Sequence, residues 1–442
     1  MSLIKTYILT FWLLLISISN IIAQSWQPLG NGLNNSVLSV YKTPTGDTVY
    51  AGGRFSGSGM VSINYLGRWT NNSWSNVGLG LDGAVKTIVN IDGDLYFGGE
   101  FAYSKDSLLN CIAKWDGQQF IGYNNGFFKS GTHSVMATVN GIVKYHNQLY
   151  VGGIFDYAFN KVDYMKNIAR WNGDKWENVS DGVTGNSGIN CMVVYHDTLY
   201  VGGGFTSSGT TNTYNIAKWD GANWSAVGNG LNNEVTSLEI HNDTLYAAGV
   251  FTQSGTTPIS YVAKWNGTAW QNVGTGINNI VYSLKSVNTK LFAGGGFTKA
   301  DGNACKNLAQ WNGSNWSANG EPNSVVRCLG GSTYLVAGGD FSTIGSATAS
   351  KVSMLNYMSG ILDLNIHSTN IFPNPASSII QINLPQDVKI ETVSIYNLLG
   401  ESIETSIFSN NLDISNLPNG NYFIVIKSNN GFIKKSMSIF HQ

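Results

Sequence analysis

The stretch "YVGGGF", residues 200–205, decides the fold because close relatives of it occur seven times along the chain. Each copy has an aromatic or aliphatic start, a Gly-Gly or Ala-Gly pair, and a final phenylalanine. Successive copies are 44 to 54 residues apart, which indicates one repeated structural unit. The copies end at Phe55, Phe101, Phe155, Phe205, Phe251, Phe297 and Phe341.

Each unit is interpreted as four short strands, a to d. In one unit they are "EVTSLEI" (234–240), "TLYAAGVF" (244–251), "YVAKW" (261–265) and "AWQNVG" (269–274). The segments are rich in β-branched and aromatic residues and are bounded by Gly, Asn or Asp. A period near 48 with four strands per unit is typical of a propeller blade. The sequence therefore predicts an all-β fold, a seven-bladed β-propeller of four-stranded blades over residues 24–360.

A pair of tryptophans five positions apart marks the end of most units. In "NIAKWDGANWSAVGNGL", residues 215–231, Trp219 and Trp224 flank an Asp-Gly turn. We interpret them as a structural aromatic contact between strands c and d. A four-residue loop would place the two rings directly opposite each other, and a two-residue turn would place them diagonally.

The seventh unit has no strand d after "KVSMLNYMSG", residues 351–360. An unmatched strand d stands near the start of the chain instead, in "SWQPLGNGL", residues 25–33. We expect residues 24–33 to complete the last blade, because closure removes open sheet edges.

The glycine pair after the second strand, followed later by tryptophan, resembles the repeats of kelch and galactose-oxidase propellers over about residues 24–360. Two features differ from that pattern, namely the phenylalanine after the glycines and the doubled tryptophan. Galactose oxidases hold copper with tyrosines and histidines and have a Cys-Tyr crosslink, but that set does not map onto this chain. No cofactor is expected.

Charge and the N-terminal segment limit the possible partners and location. Twenty-five basic and twenty-six acidic residues give a net charge of -1, so no basic field favours nucleic acid. The apolar run from Tyr7 to Ile18 is shorter than the ~20 residues that a membrane helix needs. We interpret residues 1–23 as a signal peptide cleaved after Ala23, and we expect no membrane span in the mature chain.

Four cysteines in a chain of 442 residues do not form a disulfide framework or a zinc motif. Two alternatives remain, buried free thiols or a single disulfide between the two that are nearest in sequence. The four are Cys111, Cys191, Cys305 and Cys328.

The connections b–c and d–a share one face of the predicted propeller, and they vary in length and chemistry, so we place any ligand site there. A polar residue stands three positions before the first Val or Ile of strand a. These residues are interpreted either as turn formers that bond local backbone or as contacts to carbohydrate or a cation. The ligand-binding candidates are Asn34, Asp82, Asn186, Asn232 and Asn278, together with Tyr157 and Tyr164 of the third unit.

The third unit is irregular over residues 122–166, and a catalytic site would be expected there. Its candidate side chains are His133, His146, Asp156, Tyr157, Asp163 and Tyr164. His196 and His241 are expected to be solvated in a–b turns. No nucleophile–base pair, carboxylate pair or phosphate-binding loop is recognisable, so no catalytic or metal-binding residue is assigned.

The repeat stops after Gly360, and residues 361–369 are expected to form a linker to a domain at 370–442. Its motifs are "FPNP" (372–375), "SIYNLLGE" (394–401), "LDISNLPNGNYFIVI" (412–426) and "GFIKKSMSIF" (431–440). This ordered set resembles the type A sorting domain of the type IX secretion system. Short strands separated by Pro and Gly predict a small Ig-like β-sandwich.

The resemblance implies recognition by the type IX secretion machinery after Sec export, followed by release or attachment at the cell surface. Within the motifs, Asn374 and Gly420 are interpreted either as contacts or as turn formers. The sorting-motif residues are Phe372, Pro373, Asn374, Pro375, Gly400 and Gly420.

Two functions follow from these observations. One is an exported, non-catalytic binding or adhesion propeller that engages a polysaccharide or a protein. The alternative is a propeller enzyme that acts on extracellular glycans. The near-uniform units favour binding, because an active site normally imposes deviations at several points around the ring.

Overall fold

The computed structural model describes residues 24–44, 47–124, 126–130, 137–158, 164–185, 187–357, 370–383, 390–397, 402–406, 411–428 and 431–441. Every regular element in these residues is a β-strand, which confirms the all-β prediction. No helix in these ranges is long and apolar enough to cross a membrane. The predicted signal peptide and linker lie outside the described residues. The chain divides into two compact units, of which one is Ser25–Asn356 and the other contains the C-terminal tail.

The first unit contains seven antiparallel sheets of four strands in its described residues, and we number them in chain order. Strands a to d of sheet 1 are Val37–Lys42, Val49–Gly53, Leu66–Thr70 and Ser73–Asn76. Those of sheet 2 are Val85–Ile91, Asp94–Gly99, Ile112–Trp115 and Phe120–Gly122. Those of sheet 3 are Thr138–Tyr145, Gln148–Ile154, Ile168–Trp171 and Trp176–Asn178.

The remaining sheets repeat this order. Strands a to d of sheet 4 are Gly188–Tyr195, Thr198–Gly204, Ile216–Trp219 and Trp224–Ala226. Those of sheet 5 are Val235–His241, Thr244–Gly249, Val262–Trp265 and Trp270–Asn272. Those of sheet 6 are Val281–Val287, Lys290–Gly295, Leu308–Trp311 and Trp316–Ala318. Sheet 7 has Val326–Gly330, Leu335–Gly339 and Val352–Tyr357 as strands a to c.

The fourth strand of sheet 7 comes from the other end of the unit. Gln24–Pro28 is its outer strand and lies next to Val352–Tyr357. The Ser353 hydroxyl donates a hydrogen bond to the Gln27 carbonyl at 2.7 Å, and the Leu33 N–H donates to the Ser350 carbonyl at 2.8 Å. Sheet 7 is thus built from both ends of the unit.

The sheets form a closed cycle of contacts through their first strands. Strand a of each sheet contacts strand a of the next, and strand a of sheet 7 contacts that of sheet 1. A Cβ atom on Gly52 would lie 2.5 Å from Cγ1 of Val85 in sheet 2, and one on Gly338 would lie 2.6 Å from Cγ1 of Val37. The first residue of the pair must therefore be small for neighbouring sheets to approach, and it is glycine in six sheets and Ala248 in sheet 5.

The tryptophan pairs join sheets as well as strands. Trp219 lies directly opposite Trp224 across a four-residue loop, with ring centroids 5.2 Å apart. The indole N–H of the strand d tryptophan donates to a carbonyl at the end of strand d in the preceding sheet. These bonds join Trp74 to Leu29, Trp176 to Tyr123, Trp224 to Val179, Trp270 to Val227 and Trp316 to Val273, at 2.8–3.1 Å.

Trp26 continues this series in sheet 7. Its indole N–H donates to Oδ1 of Asn319, which follows strand d of sheet 6, at 3.1 Å. Sheet 2 has Phe120 at the same position, and its ring contacts Trp115 at 4.9 Å without such a bond.

A short two-stranded hairpin is built from the b–c connection in six of the seven sheets, which the sequence did not indicate. In sheets 1, 2, 4, 5, 6 and 7 both of its strands lie within that connection. In sheet 3 the strand Phe127–Phe128, from the d–a connection, pairs with Tyr157–Ala158. The others are Gly57–Ser58 with Val61–Ser62, Tyr103–Ser104 with Ser107–Leu108, Ser207–Ser208 with Thr211–Asn212, Gln253–Ser254 with Thr257–Pro258, Lys299–Ala300 with Asn303–Ala304, and Thr343–Ile344 with Ala347–Thr348.

All four cysteines are free thiols, so the predicted alternative of a Cys305–Cys328 disulfide is wrong. Cys111, Cys305 and Cys328 are buried. Burial raises the pKa of Cys111 and of Cys305 to about 12, which keeps these thiols neutral near pH 7. They act as small apolar core residues.

The tail contains two antiparallel sheets in its described residues. One sheet has Asn370–Phe372, Ile379–Asn383 and Asn411–Asp413, and the other has Ser402–Ser406, Ile390–Tyr396, Gly420–Ser428 and Gly431–Ile439 in spatial order. Residues from both sheets, among them Ile380, Ile395 and Ile424, form one buried apolar cluster. The two sheets therefore share a core.

The indole bond between sheets predicts a specific loss of stability. We expect Trp270→Phe to lower the free energy of unfolding by about 1–2 kcal/mol, because the buried Val227 carbonyl loses a donor. Phenylalanine fits this position in sheet 2, as Phe120 shows. Trp265→Phe is the matched control, since the Trp265 indole N–H forms no hydrogen bond within the described residues. Urea unfolding measures both, and equal losses would contradict the inter-sheet role.

Candidate functional site

The predicted polar residues before strand a tie two connections together. Oδ1 of Asn278 accepts hydrogen bonds from the N–H groups of Thr298 and Lys299 at 2.9 and 2.8 Å, and its amide donates to the Thr298 hydroxyl at 3.0 Å. Asn34 and Asn232 do the same in sheets 1 and 5. The partners lie about 20 residues away in the b–c connection, so these contacts are not within a local turn.

Asp82 uses the same geometry, with Oδ1 accepting from the N–H groups of Ala102 and Tyr103 at 2.8 Å. Asn186 lies outside the described residues, and Thr184 holds this place in sheet 4 through bonds with Ser207. Asn323 is a further member that the sequence analysis missed. Its Oδ1 accepts from two successive N–H groups of the b–c connection at 2.9 and 3.1 Å, and it stands three positions before Val326, as the pattern requires.

In sheet 3 the acceptor side chain lies in the b–c connection, and its donors lie in the d–a connection. Asp156, which follows the signature phenylalanine, supplies the carboxylate, and it accepts from the Lys129 ammonium at 2.6 Å and from the Ser130 hydroxyl and N–H at 2.6 and 3.0 Å. Burial alone would raise the pKa of Asp156, but these donors outweigh it and hold the pKa below its usual value. The cluster orders the connection in place of an asparagine.

The other candidates of the third unit that the structure describes do not converge on one point. Tyr157 and Tyr164 form a backbone bridge with ring centroids 5.1 Å apart. His146 lies in an a–b turn, and its Nε2 contacts Oδ1 of Asp197 in the next sheet at 3.0 Å. Asp156 lies in a b–c connection. His133 and Asp163 lie outside the described residues.

The other two candidate histidines, His196 and His241, differ in their exposure to solvent. His196 is exposed in an a–b turn, as expected, and its Nε2 contacts Oδ1 of Asp243 at 2.9 Å. His241 ends strand a of sheet 5 and is 3% exposed, so the expectation that it is solvated is wrong. Its Nδ1 lies 2.9 Å from the Ser286 hydroxyl, and burial lowers the pKa of His241.

A cavity of about 460 Å³ lies where the seven first strands meet. Every strand a has a β-bulge after its first or second residue, which leaves one residue per sheet without a partner on strand b. All seven bulged residues line this cavity: Leu38, Lys86, Asn140, Asn190, Thr236, Tyr282 and Arg327. We call this cavity the channel site.

One side of the channel site is charged. Arg327 forms an ion pair with Asp340 at 2.6 Å, and its guanidinium lies 5.4 Å from the centre of the Tyr282 ring. The Ser36 hydroxyl donates to Asp340 at 2.5 Å. Burial by itself would raise the pKa of Asp340, but the bonds from Arg327 and Ser36 hold it below its usual value.

Lys86 extends this charged side into sheet 2. Its ammonium lies 2.7 Å from Glu100, which also contacts Arg54 of sheet 1 at 3.5 Å.

The other side of the channel site is lined by uncharged side chains, apart from Glu234. The Asn140 amide donates to the Ile189 carbonyl at 2.9 Å, and the Asn190 amide donates to Glu234 at 2.7 Å and to the Val235 carbonyl at 3.1 Å. The amides of Asn140 and Asn190 thus bond to the neighbouring sheet. Ile154 and Val250 add apolar surface to the cavity.

The sequence contains a further signal for this site, at a position that includes the lining residues Ile154 and Val250. The residue between the glycine pair and the phenylalanine differs in chemistry among the seven copies, although the residues around it hardly change. These residues are Arg54, Glu100, Ile154, Gly204, Val250, Gly296 and Asp340. Variation inside an otherwise repeated motif indicates a position that packing does not determine.

The channel site can bind a ligand through charged, amide and apolar groups at once. Within the described residues, no group of three or more His, Cys, Asp or Glu side chains could hold a metal ion. Glu100 and Asp340 are ion-paired with the lining residues Lys86 and Arg327. The arrangement suits recognition of a polar molecule.

The sorting-motif residues lie in the tail. Phe372 is exposed, and Phe372–Pro373 and Asn374–Pro375 are cis peptide bonds. Oδ1 of Asn374 accepts from the Ser438 N–H at 2.9 Å, which fixes the last strand. Gly420 begins a strand opposite Ile439 rather than forming a turn. Gly400 lies outside the described residues.

Residues 370–439 match the family described as a secretion system C-terminal sorting domain. The tail is a type IX sorting domain. It indicates secretion by the type IX system and contact with that machinery, and the protein is secreted or displayed at the cell surface. No curated protein matches the chain in sequence.

Solved structures to which the chain is similar include an extracellular domain and a designed protein. The extracellular domain of a putative hybrid two-component system from B. thetaiotaomicron has a TM-score of 0.50 and 14% identity, covering 95% of this chain and 59% of that chain. The designed Ika8 protein has a TM-score of 0.43 and 11% identity, covering 93% and 98%. The chain spans less than two thirds of the B. thetaiotaomicron domain, and the likeness concerns the fold alone.

The bonds of Asn232 predict its effect on stability. We expect Asn232→Ala to lower the free energy of unfolding by about 1 kcal/mol, because two N–H groups lose their acceptor. Asn232→Asp is the matched control and should be nearly neutral, since Asp82 makes the same bonds in sheet 2. Urea unfolding distinguishes them. An unchanged stability with reduced ligand binding would favour the binding interpretation instead.

The depressed pKa of Asp340 predicts a pH-dependent contribution. Because the folded pKa is lower than the unfolded one, the stabilisation is present above about pH 4 and is lost as pH falls through the folded pKa. We expect Asp340→Asn to cost about 1 kcal/mol at pH 7 and the difference from wild type to shrink below pH ~4. Asp106→Asn, at an exposed carboxylate, is the control. A loss independent of pH would exclude the ion pair as its cause.

Proposed function

We propose that residues 24–360 form a seven-bladed β-propeller and that residues 370–442 form an Ig-like β-sandwich. The seven four-stranded sheets, the closed cycle of strand a contacts and the strand shared by both ends of the unit support the propeller. The shared core of the two tail sheets supports the sandwich.

The proposed function is non-catalytic binding or adhesion outside the cell. The observation that carries it is the channel site, where seven positions that are equivalent by register hold six different residue types, with only asparagine occurring twice. A scaffold position would repeat its residue, as the glycine and tryptophan positions do. The mixed polar, charged and aromatic lining fits a polysaccharide or a polar segment of a protein.

The proposed route begins with Sec export directed by residues 1–23 and continues through the type IX machinery. The tail then serves delivery, and the propeller serves recognition. This division agrees with the two compact units.

A side chain added to the channel site tests the proposal. A Cβ on Gly296 would be 3.5 Å or more from its neighbours, and other sheets hold Arg, Glu or Ile at the same position, so Gly296→Phe should fold. We expect it to abolish the binding that wild type shows on a glycan array or to an extracellular protein. Thr268→Phe, in an exposed c–d turn, is the control and should bind normally.

Two results would contradict the proposal. One is a wild-type protein that binds no glycan and no protein partner. The other is Gly296→Phe binding as well as wild type, since the ligand would then lie elsewhere.

A further inference from the structure

A second cleft lies on the rim of sheet 3, beside its outer strand Trp176–Asn178. It has a volume of about 550 Å³ and is separate from the channel site. Most of its lining is polar. The side chains that matter here are Tyr164, Lys166, Arg170, Lys175, Glu177 and Asp181.

The cleft is lined by one more cationic side chain than anionic side chains. Arg170 Nε donates to Glu177 at 3.2 Å, and Lys166 lies 3.9 Å from Asp181. The Lys175 side chain is exposed and has no ion-pair partner among the described residues. The two carboxylates are thus compensated within the cleft, and Lys175 makes the site net positive.

One aromatic ring is held in place at the cleft. Tyr164 is 46% exposed, and its position is set by the backbone bridge and ring contact with Tyr157. An exposed ring that packing has already oriented offers a flat surface for stacking at little cost in side-chain entropy.

We propose that this rim cleft binds an acidic oligosaccharide, with a uronic acid as the simplest recognition unit. The Tyr164 ring would stack on the C–H face of a sugar, and the fixed Arg170–Glu177 pair offers donors and acceptors to adjacent hydroxyl groups. The Lys175 ammonium would donate a charge-assisted hydrogen bond to the sugar carboxylate. The scarcity of apolar lining does not suit a lipid or another apolar ligand. The site is independent of the channel site.

The matched substitution is Lys175→Asn, because Asn223 and Asn315 hold the equivalent turn position in sheets 4 and 6. We expect the full chain to bind trigalacturonate at least about tenfold more tightly than neutral cellotriose by calorimetry, and Lys175→Asn to remove that preference. Tyr164→Ala should weaken both trisaccharides. Gly296→Phe should change neither, which separates this site from the channel site.

A charge-balanced double variant excludes a general effect of net charge. Lys175→Asn combined with Asn315→Lys keeps the net charge, and we expect it to bind trigalacturonate as weakly as Lys175→Asn alone. Recovery in the double variant would overturn the proposal. So would equal binding of trigalacturonate and cellotriose by wild type, absence of trigalacturonate binding, or equally tight binding of triglutamate, which would indicate an acidic peptide site.

Discussion

The structure of the first unit depends on the close approach of strand b in one sheet to strand a in the next. The small first residue of each pair allows it, since a Cβ on Gly52 or Gly338 would overlap the valine that begins the neighbouring strand a. The second glycine faces its own strand a where the bulge occurs, as Gly53 does against the Ser36 carbonyl. The bulge then turns one residue per sheet into the channel. The constraint that packs the sheets therefore also creates the channel site.

Strand a has an inner edge that no strand covers, and side chains of the neighbouring sheet satisfy part of it. The Ser237 hydroxyl accepts from the Leu284 N–H and the Ser283 hydroxyl accepts from the Leu329 N–H, both at 3.0 Å. Glu239 accepts from the Ser286 N–H at 2.9 Å. Paired edge groups explain why small polar residues recur along strands that are otherwise apolar. They also join consecutive sheets on the inside, as the strand d tryptophans do on the outside.

Much of the fold was predictable because it follows from local pattern. The hexapeptide spacing, the strand composition and the Trp219–Trp224 pair all depend on residues close in sequence. The partners of Asn232 and Asn278 were not predictable, since they lie about 20 residues away and require the d–a and b–c connections to meet. The bulged residues, such as Tyr282, depend on a one-residue irregularity that strand periodicity does not reveal. Asn323, in contrast, was predictable, because it stands three positions before Val326, the same spacing that identified the other polar residues before strand a.

A position can vary for ligand binding when it makes no contact with the neighbouring sheet that is repeated from sheet to sheet. The glycine pair, the first residue of strand a and the strand d tryptophan are each committed to packing, so a change there costs stability before it can alter recognition. The bulged residues line the channel, as do Ile154 and Val250 at the position after the glycine pair, and the rim of sheet 3 faces solvent. Chemistry varies at these positions while the frame stays constant. Since a uniform frame with variable surfaces can change its ligand without refolding, the binding that we propose is expected to reside in the channel and on the rim rather than in the repeated motifs.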